Sequence, residues 1–273
     1  MSRSVVVCAD DFALNPGVSR AIAGLAGRGR ISATSAMVCS PHWQAHAPWL
    51  SDLRGRIGVG LHLDLTSPWA VREGHGSGLG GVMARSLLHL TRADTAEQVI
   101  ARQLDRFEQV WQAPPDHIDG HQHVQQFPVW REALVRLMGQ RYAPGRRPWL
   151  RVSRPMPADG GFKTWLIGAM GAAALARSAA LADIPCTSRL VGISDFRGDA
   201  GEWLRQAAQW LSWAGEADGV VLMCHPGLPD PDTGDGIASA RAHEWSALSG
   251  PEWPALLTQR GLTLSPSPEG HAL

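Results

Sequence analysis

Runs of uninterrupted apolar residues, each followed by a stretch with helical periodicity, restrict this chain to few architectures. "SVVVCAD" near the N-terminus and "DGVVLMCHPG" near residue 220 show no polar alternation, so a strand built from either is covered on both faces. Between them, "NPGVSRAIAGLAGRG" reads as a helix capped by Asn15, with Pro16 at its first position and glycines at its end. "SATSAMVC" and "IGVGLHLDL" read as strands, with a short helix around "HWQAHAPWLSDL". "TAEQVIARQLDRFEQVW" is an amphipathic helix with Thr95 as cap, "PDHIDGHQHV" returns to a strand, and "PVWREALVRLMGQRY" is a helix with Pro128 at its start. The glycine-rich residues 68 to 86 read as a long surface loop. Further on, "WLRVS", "RLVGISDF" and "LTLS" are strand candidates. Residues 162 to 182, "AGEWLRQAAQWLSWAG" and "PEWPALLTQRG" read as helices, and "LPDPDTGDG" as a loop with solvated acids. Alternating β and α elements predict an α/β fold: one domain over residues 1–273, its parallel sheet closed or nearly closed into a barrel.

Chemistry in such folds sits at the carboxyl ends of the strands, and four polar clusters fall there. Asp10-Asp11 ends the first strand, His62 stands alone in "GLHLDL", His117, Asp119, His121 and His123 alternate in "HIDGHQHV", and His225 follows "VVLMC". Each has a plain structural reading, as a turn cap or a hydrogen-bonded core histidine. Together, a carboxylate and two imidazoles from separate strands make a three-ligand metal site with open positions. A cation there would let two adjacent carboxylates stay ionised, one holding metal and the other taking a proton. Strand side chains alternate between faces, so Asp10 and Asp11 can do different jobs only where the strand has ended and turned.

These motifs resemble the YdjC-like family, which includes bacterial chitooligosaccharide deacetylases and hopanoid-associated deacetylase relatives. The resemblance rests on "ADDFALNPGV", "GLHLDLT", "HIDGHQHVQQFP" and "MCHPG", in that order from residue 5 to about residue 230. It implies a distorted (β/α) barrel resembling that of polysaccharide deacetylases. It also implies a divalent metal, zinc or magnesium, held by Asp11, His62 and His121. Asp10 then corresponds to the general base and His225 to the acid that protonates the leaving amine. His123 would sit beside the metal, and Arg151 would contact substrate or support the site. Two positions depart from the family pattern. Ala13 stands where glycine is usual, a tolerable change at an ordinary φ, and Gln125 replaces a histidine, which bears on substrate preference.

The reaction implied is metal-dependent removal of an acetyl group from an N-acetylated amino sugar. Competing readings are hydrolysis of an ester or phosphate at the same site, or carbohydrate binding without catalysis. Net charge is zero and pI about 7.2, so nothing in the composition marks a nucleic-acid or anionic-lipid surface. Four scattered cysteines and the absence of an apolar leader after Met-Ser-Arg predict reduced thiols and a cytoplasmic location. "WLIGAMGAAALA" is shorter than the roughly 20 residues a bilayer span needs, so it reads as a partly buried helix and no integral membrane segment is expected. The twelve tryptophans read mainly as packing. A few could line a sugar cleft, and exposed ones would support a homodimer.

Overall fold

The computed structural model describes residues 3–74, 76–230 and 234–268. In chain order its elements are β1 (Arg3–Phe12), α1 (Pro16–Gly27), β2 (Ala33–Ala36), α2 (Trp43–His46), a 3-10 segment (Ala47–Leu53) and β3 (Gly58–Leu63). Then come α3 (Pro68–Arg72), α4 (Leu79–Leu87), α5 (Ala93–Trp111), β4 (His117–Gly120), a 3-10 turn (His121–Gln126), α6 (Trp130–Arg141) and β5 (Trp149–Leu150). The remainder is α7 (Phe162–Ala169), α8 (Ala172–Leu181), β6 (Arg189–Val191), α9 (Ala200–Ala214), β7 (Val220–Cys224), α10 (Ala238–Ser249), α11 (Glu252–Gln259) and β8 (Leu262–Leu264).

All strand pairs are parallel, in the order β5-β4-β3-β2-β1-β7-β6, with β8 on the first residues of β1. The chain after β5 joins the two edges. Leu150 bridges to Cys186 and Pro155 to Leu190, and the Leu190 amide donates to the Arg154 carbonyl at 2.7 Å. The sheet therefore curls into a distorted (β/α) barrel.

The period of two along each strand separates two environments. Val5, Val7 and Ala9 face the helices and join the large core that contains Ile22, Leu25, Leu104 and Leu211. Val6 and Cys8 point the other way, into a smaller cluster with Ala33, Trp149, Leu190, Val221 and Met223. That second cluster fills the barrel floor. Continuing its phase upward leads to Asp10, Ser35, His62, Asp119, Arg151 and His225, the layer above the floor.

Several local expectations are corrected. Residues 68–86 hold two helices, α3 and α4, because Ser67 caps the first through the Ala70 amide; His75 lies outside the described residues. Thr95 sits inside α5, whose cap position is Arg92, and α6 starts at Trp130 after Val129 at φ 70°. The strand at "HIDGHQHV" stops at Gly120, so His121 and His123 belong to the 3-10 turn. The helix over 162–182 breaks at Gly171, φ 122°, where an added Cβ would meet the Gln126 carbonyl oxygen at 2.2 Å. That stretch, Phe162–Leu181, is the one among the described residues long and apolar enough to cross a membrane by length and composition, at mean hydropathy 1.3. Helix α10 was not anticipated at all. Most tryptophans do pack in the core, Trp43, Trp130, Trp210 and Trp253 among them.

One packing contact tests the floor of the site. A Cβ at Gly60 would lie 2.3 Å from the His117 ring, and both neighbours are fixed by strand pairing. Gly60→Ala is expected to destabilise the fold by about 1–3 kcal/mol, the usual range for overpacking, read as a lower denaturation midpoint at unchanged m-value.

Candidate active site

The carboxyl ends of β1, β3, β4, β5 and β7 converge on a cleft of about 820 Å³ whose lining includes Asp10, Asp11, His62, His121, His123 and His225. Arg151 lies beneath them, fully buried. The predicted site residues are thus brought together in one place.

β1 has not ended at the carboxylates. Ala9 pairs with Thr34 but Phe12 with Ala36, so β1 carries one extra residue there, and Asp11 takes φ 69°. This bulge re-aims a side chain that plain alternation would send to the helices, and both carboxylates enter the cleft. Asp10 receives two hydrogen bonds from the Arg151 guanidinium, at 2.6 and 2.7 Å. The Arg241 guanidinium donates to Asp11 Oδ2 at 2.7 Å, while Asp11 Oδ1 is buried without a hydrogen-bond partner. Burial alone would raise the Asp11 pKa, but Arg241, His62 and His121 outweigh it and hold the carboxyl well below its usual range.

The register of β3 on β4 sets His62 beside Asp119. His62 Nδ1 lies 2.6 Å from Asp119 Oδ1, and its Nε2 faces Asp11 Oδ1 at 3.3 Å. Asp119 also accepts from Ser35 Oγ at 2.6 Å and lies 3.0 Å from Arg151. Burial pushes the His62 pKa down, yet Asp119, Asp10 and Asp11 overcome it and raise the imidazole to about 10. The cluster demands positive charge at His62. His121 Nδ1 pairs with Thr66 Oγ1 at 2.8 Å, and its ring centroid is 5.8 Å from that of His62. His123 Nδ1 pairs with Ser153 Oγ at 2.9 Å. His225 Nε2 lies 3.9 Å from Asp10 Oδ2, its Nδ1 has no partner, and burial brings its pKa down to about 4.

Ligand-type atoms of Asp10, His62 and Asp119 lie within 4.8 Å of one another, as do those of Cys8, His117 and Asp119. Both groups are already filled by the protein's own bonds: Arg151 covers Asp10, while His62, Ser35 and Arg151 surround Asp119. Among the described residues, Asp11 Oδ1 and His62 Nε2 are the least encumbered pair. With Nδ1 of His62 on a carboxylate and Nδ1 of His121 on a hydroxyl, each imidazole is left to present Nε2, the usual arrangement around a bound metal. Asp11 and His62 suit a divalent ion, while His121 does not close with them into a group of three ligand atoms within 4.8 Å.

Two participants were not foreseen, Arg241 and Glu244, both on α10. Glu244 accepts the His225 amide at 2.5 Å and is buried. Their spacing, with Leu248 one turn further, puts all three on one helix face, which was the available signal. The acids of the 228–236 loop are also engaged: Asp235 pairs with Arg241 at 2.6 Å and Asp230 accepts the Gly17 amide at 2.7 Å, while Asp232 lies outside the described residues. The condition set for Ala13 is not met, since its φ is 72°. Gln125 is buried and donates to the Arg151 carbonyl at 3.0 Å, behind the cleft wall.

Fold and site together define a parallel α/β barrel with a carboxylate–imidazole cluster at the carboxyl ends of its strands. The chain belongs to the YdjC-like family, whose model, "YdjC-like protein", matches residues 4–259. Chitooligosaccharide deacetylases of Salmonella schwarzengrund and Salmonella typhimurium are each 32% identical over 146 residues, which is 52% of this chain and 58% of theirs. The match therefore spans less than two thirds of those relatives. A solved structure from Enterococcus faecalis V583, described as a "putative cellobiose-phosphate cleavage protein", superposes with TM-score 0.73 at 18% identity, covering 97% of each chain. It shares the fold.

Two measurements follow from this geometry. Ala13→Gly removes a left-handed alanine and is expected to raise stability by about 1 kcal/mol, read in urea denaturation. Glu244 is pushed up by burial from 4.5 to about 7, so the folded chain binds that proton more tightly than the unfolded one. Its contribution to stability is lost as pH rises through this window. Glu244→Gln is expected to gain up to about 3 kcal/mol on the wild type between pH 4 and pH 8, compared at both pH values by denaturant titration.

Proposed function

We propose that this chain is a metal-dependent hydrolase that removes the acetyl group from an N-acetylated amino sugar, acting as one unit over residues 1–273. The observation that carries this reading is the unpartnered Asp11 Oδ1 facing His62 Nε2 at 3.3 Å, with Asp10 and His225 beside it. The names of the Salmonella relatives support a sugar amide as the substrate.

Asp11, His62 and His121 would hold the ion, for which two imidazoles and a carboxylate suit zinc, with magnesium the other candidate. When bound, a divalent ion polarises the acetamide carbonyl and acidifies the attacking water. Asp10 accepts the proton of that water at a carboxylate oxygen, its plane fixed by the two bonds from Arg151. Asp119 holds His62 in the tautomer that leaves Nε2 free. His225 is neutral at pH 7, so the proton it gives to the leaving amine must first reach it, and Asp10 Oδ2 at 3.9 Å is the nearby source. The amine would otherwise leave as a poor anion. His123 and Arg151 position groups around the pocket rather than react. The apolar and aromatic side chains of Trp69 and Phe196 in the cleft offer faces for the C–H surface of a sugar ring.

Acetate release from N-acetylglucosamine, chitobiose, chitotriose and a lipid-linked amino sugar, with chelator and zinc or magnesium restored, tests the reading. Asp10→Asn is expected to keep its metal and lose on the order of a hundredfold or more in turnover. His62→Ala and His121→Ala are expected to lose the metal itself, measured as metal content per chain. Wild-type turnover in Asp10→Asn would remove the base assignment; full metal content in both histidine variants would remove the ligand assignment.

A further inference from the structure

A second depression opens beside the cleft, outside the reacting cluster. This groove, of about 840 Å³, lies between α2 with the 3-10 segment that follows it, α3, and the second half of α5. It has the size of an ordinary ligand site, and the two spaces meet at one side chain. Trp69, partly buried, lines both. On either side of it the chain alternates between them: His42 and Pro68 face the cleft, Pro41 and Arg72 the groove. A ligand too long for the cleft meets the groove next, across Trp69.

The groove is held in shape by its own contacts. Trp43 and Trp111 are buried in its floor. The Arg54 guanidinium lies over the Trp111 ring, 3.8 Å from its centroid, and donates to the Trp111 carbonyl. Arg106 donates to Glu73 at 2.7 Å, and its carbonyl accepts from Trp43 Nε1 at 3.3 Å. Gln44, Ser51, Gln109 and Gln112 stand exposed at the rim. These walls offer planar donors and acceptors together, beside the aromatic face of Trp69. A neutral polyhydroxylated chain matches both, since each hydroxyl donates and accepts and the ring presents a C–H face. A polyanion calls for donors alone, and Glu73 would stand against it. A docked amphipathic helix calls for a hydrophobic groove. Among the described residues lining this one, the only exposed apolar side chains are the prolines Pro41 and Pro48.

We propose that the groove binds the continuation of an acetylated oligosaccharide whose reacting unit sits in the cleft, with Trp69 as the platform common to both. The assignment rests on the amino-sugar reading of the cleft and adds a length to it. The substrate is a chain of several units rather than a mono- or disaccharide, and residues far from the chemistry hold its other end.

Calorimetric titration with chitobiose and with chitohexaose, beside acetate release from each, tests the proposal. Expected is a chitohexaose affinity about tenfold or more above that of chitobiose, the scale of two or more added hydrogen bonds. Most of that ratio is expected to be lost in the double variant Gln44→Ala, Gln109→Ala, whose two side chains are exposed on helices. The ratio is taken within one protein, so a change in the amount of folded chain does not move it. Equal affinity for the two lengths, with acetate released from both, overturns the groove assignment and leaves the deacetylase reading standing. A ratio unaltered in the double variant also overturns it, because the further units then lie elsewhere. Length-dependent binding that is lost in the variant, with no acetate released from either sugar, keeps the groove and removes the reaction. Failure of both sugars to bind and to release acetate removes the amino-sugar reading and the groove assignment with it.

Discussion

Three carboxylates share a space with almost no water. Asp10, Asp11 and Asp119 are each at most 2% exposed and stand within reach of one histidine. Left uncompensated, such a cluster would not stay ionised. Arg151 answers Asp10 and Asp119, Arg241 answers Asp11, and His62 carries the remaining positive charge as a proton or yields it to a metal. Much of the architecture exists to deliver those cations. The chain leaving β5 must run on past Leu150 to bury Arg151, and α10 must pack against α9 and α1 to bring Arg241 to Asp11. Breaking any one of these pairs strands a buried charge, a loss of about 3–5 kcal/mol in comparable cases.

The barrel lining is a gradient. Read in steps of two, β1 runs from Val6 through Cys8 to Asp10, and Cys8, Ser35 and His117 meet between the apolar floor and the ionised groups. His117 belongs to the middle layer: burial holds it to about 4, so it is neutral and contributes shape and one hydrogen bond to Ser35. Its ring occupies the volume that Gly60 leaves open in β3, and it stacks on Trp149. A neutral middle layer keeps the ionised groups at the top from being solvated from below.

What the sequence revealed, and what it hid, divides along physical lines. Strand ends were legible where a reactive residue directly follows its own apolar run, as His225 follows Val220–Cys224. The role of Asp119 was hidden although the residue was visible, since it depends on the β3–β4 register and not on neighbours in sequence. Helix α10 was hidden because its buried face is Arg241 and Glu244, which a hydrophobic pattern reads as solvent. Helices α3 and α4 were masked by glycines that a helix tolerates at modest cost. The left-handed Ala13 could not be seen, because alanine at that φ contradicts its own preference and is held there by Ser19 and Ser40 on its amide and carbonyl.

The extra residue in β1 also constrains how this lineage can change. A one-residue deletion between Ala9 and Phe12 would restore plain pairing and leave a single carboxylate, in the barrel-facing phase of Val6 and Cys8, so that one of the two places in the cleft is emptied. Substitution can be tried at these positions one step at a time. A change of length cannot, since removing a residue here removes one of the two positions and the bulge that aims it. The spacing of the carboxylates is therefore fixed against insertion and deletion more strictly than their chemistry is fixed against substitution, and length in this segment is the character that distant members of the family should share.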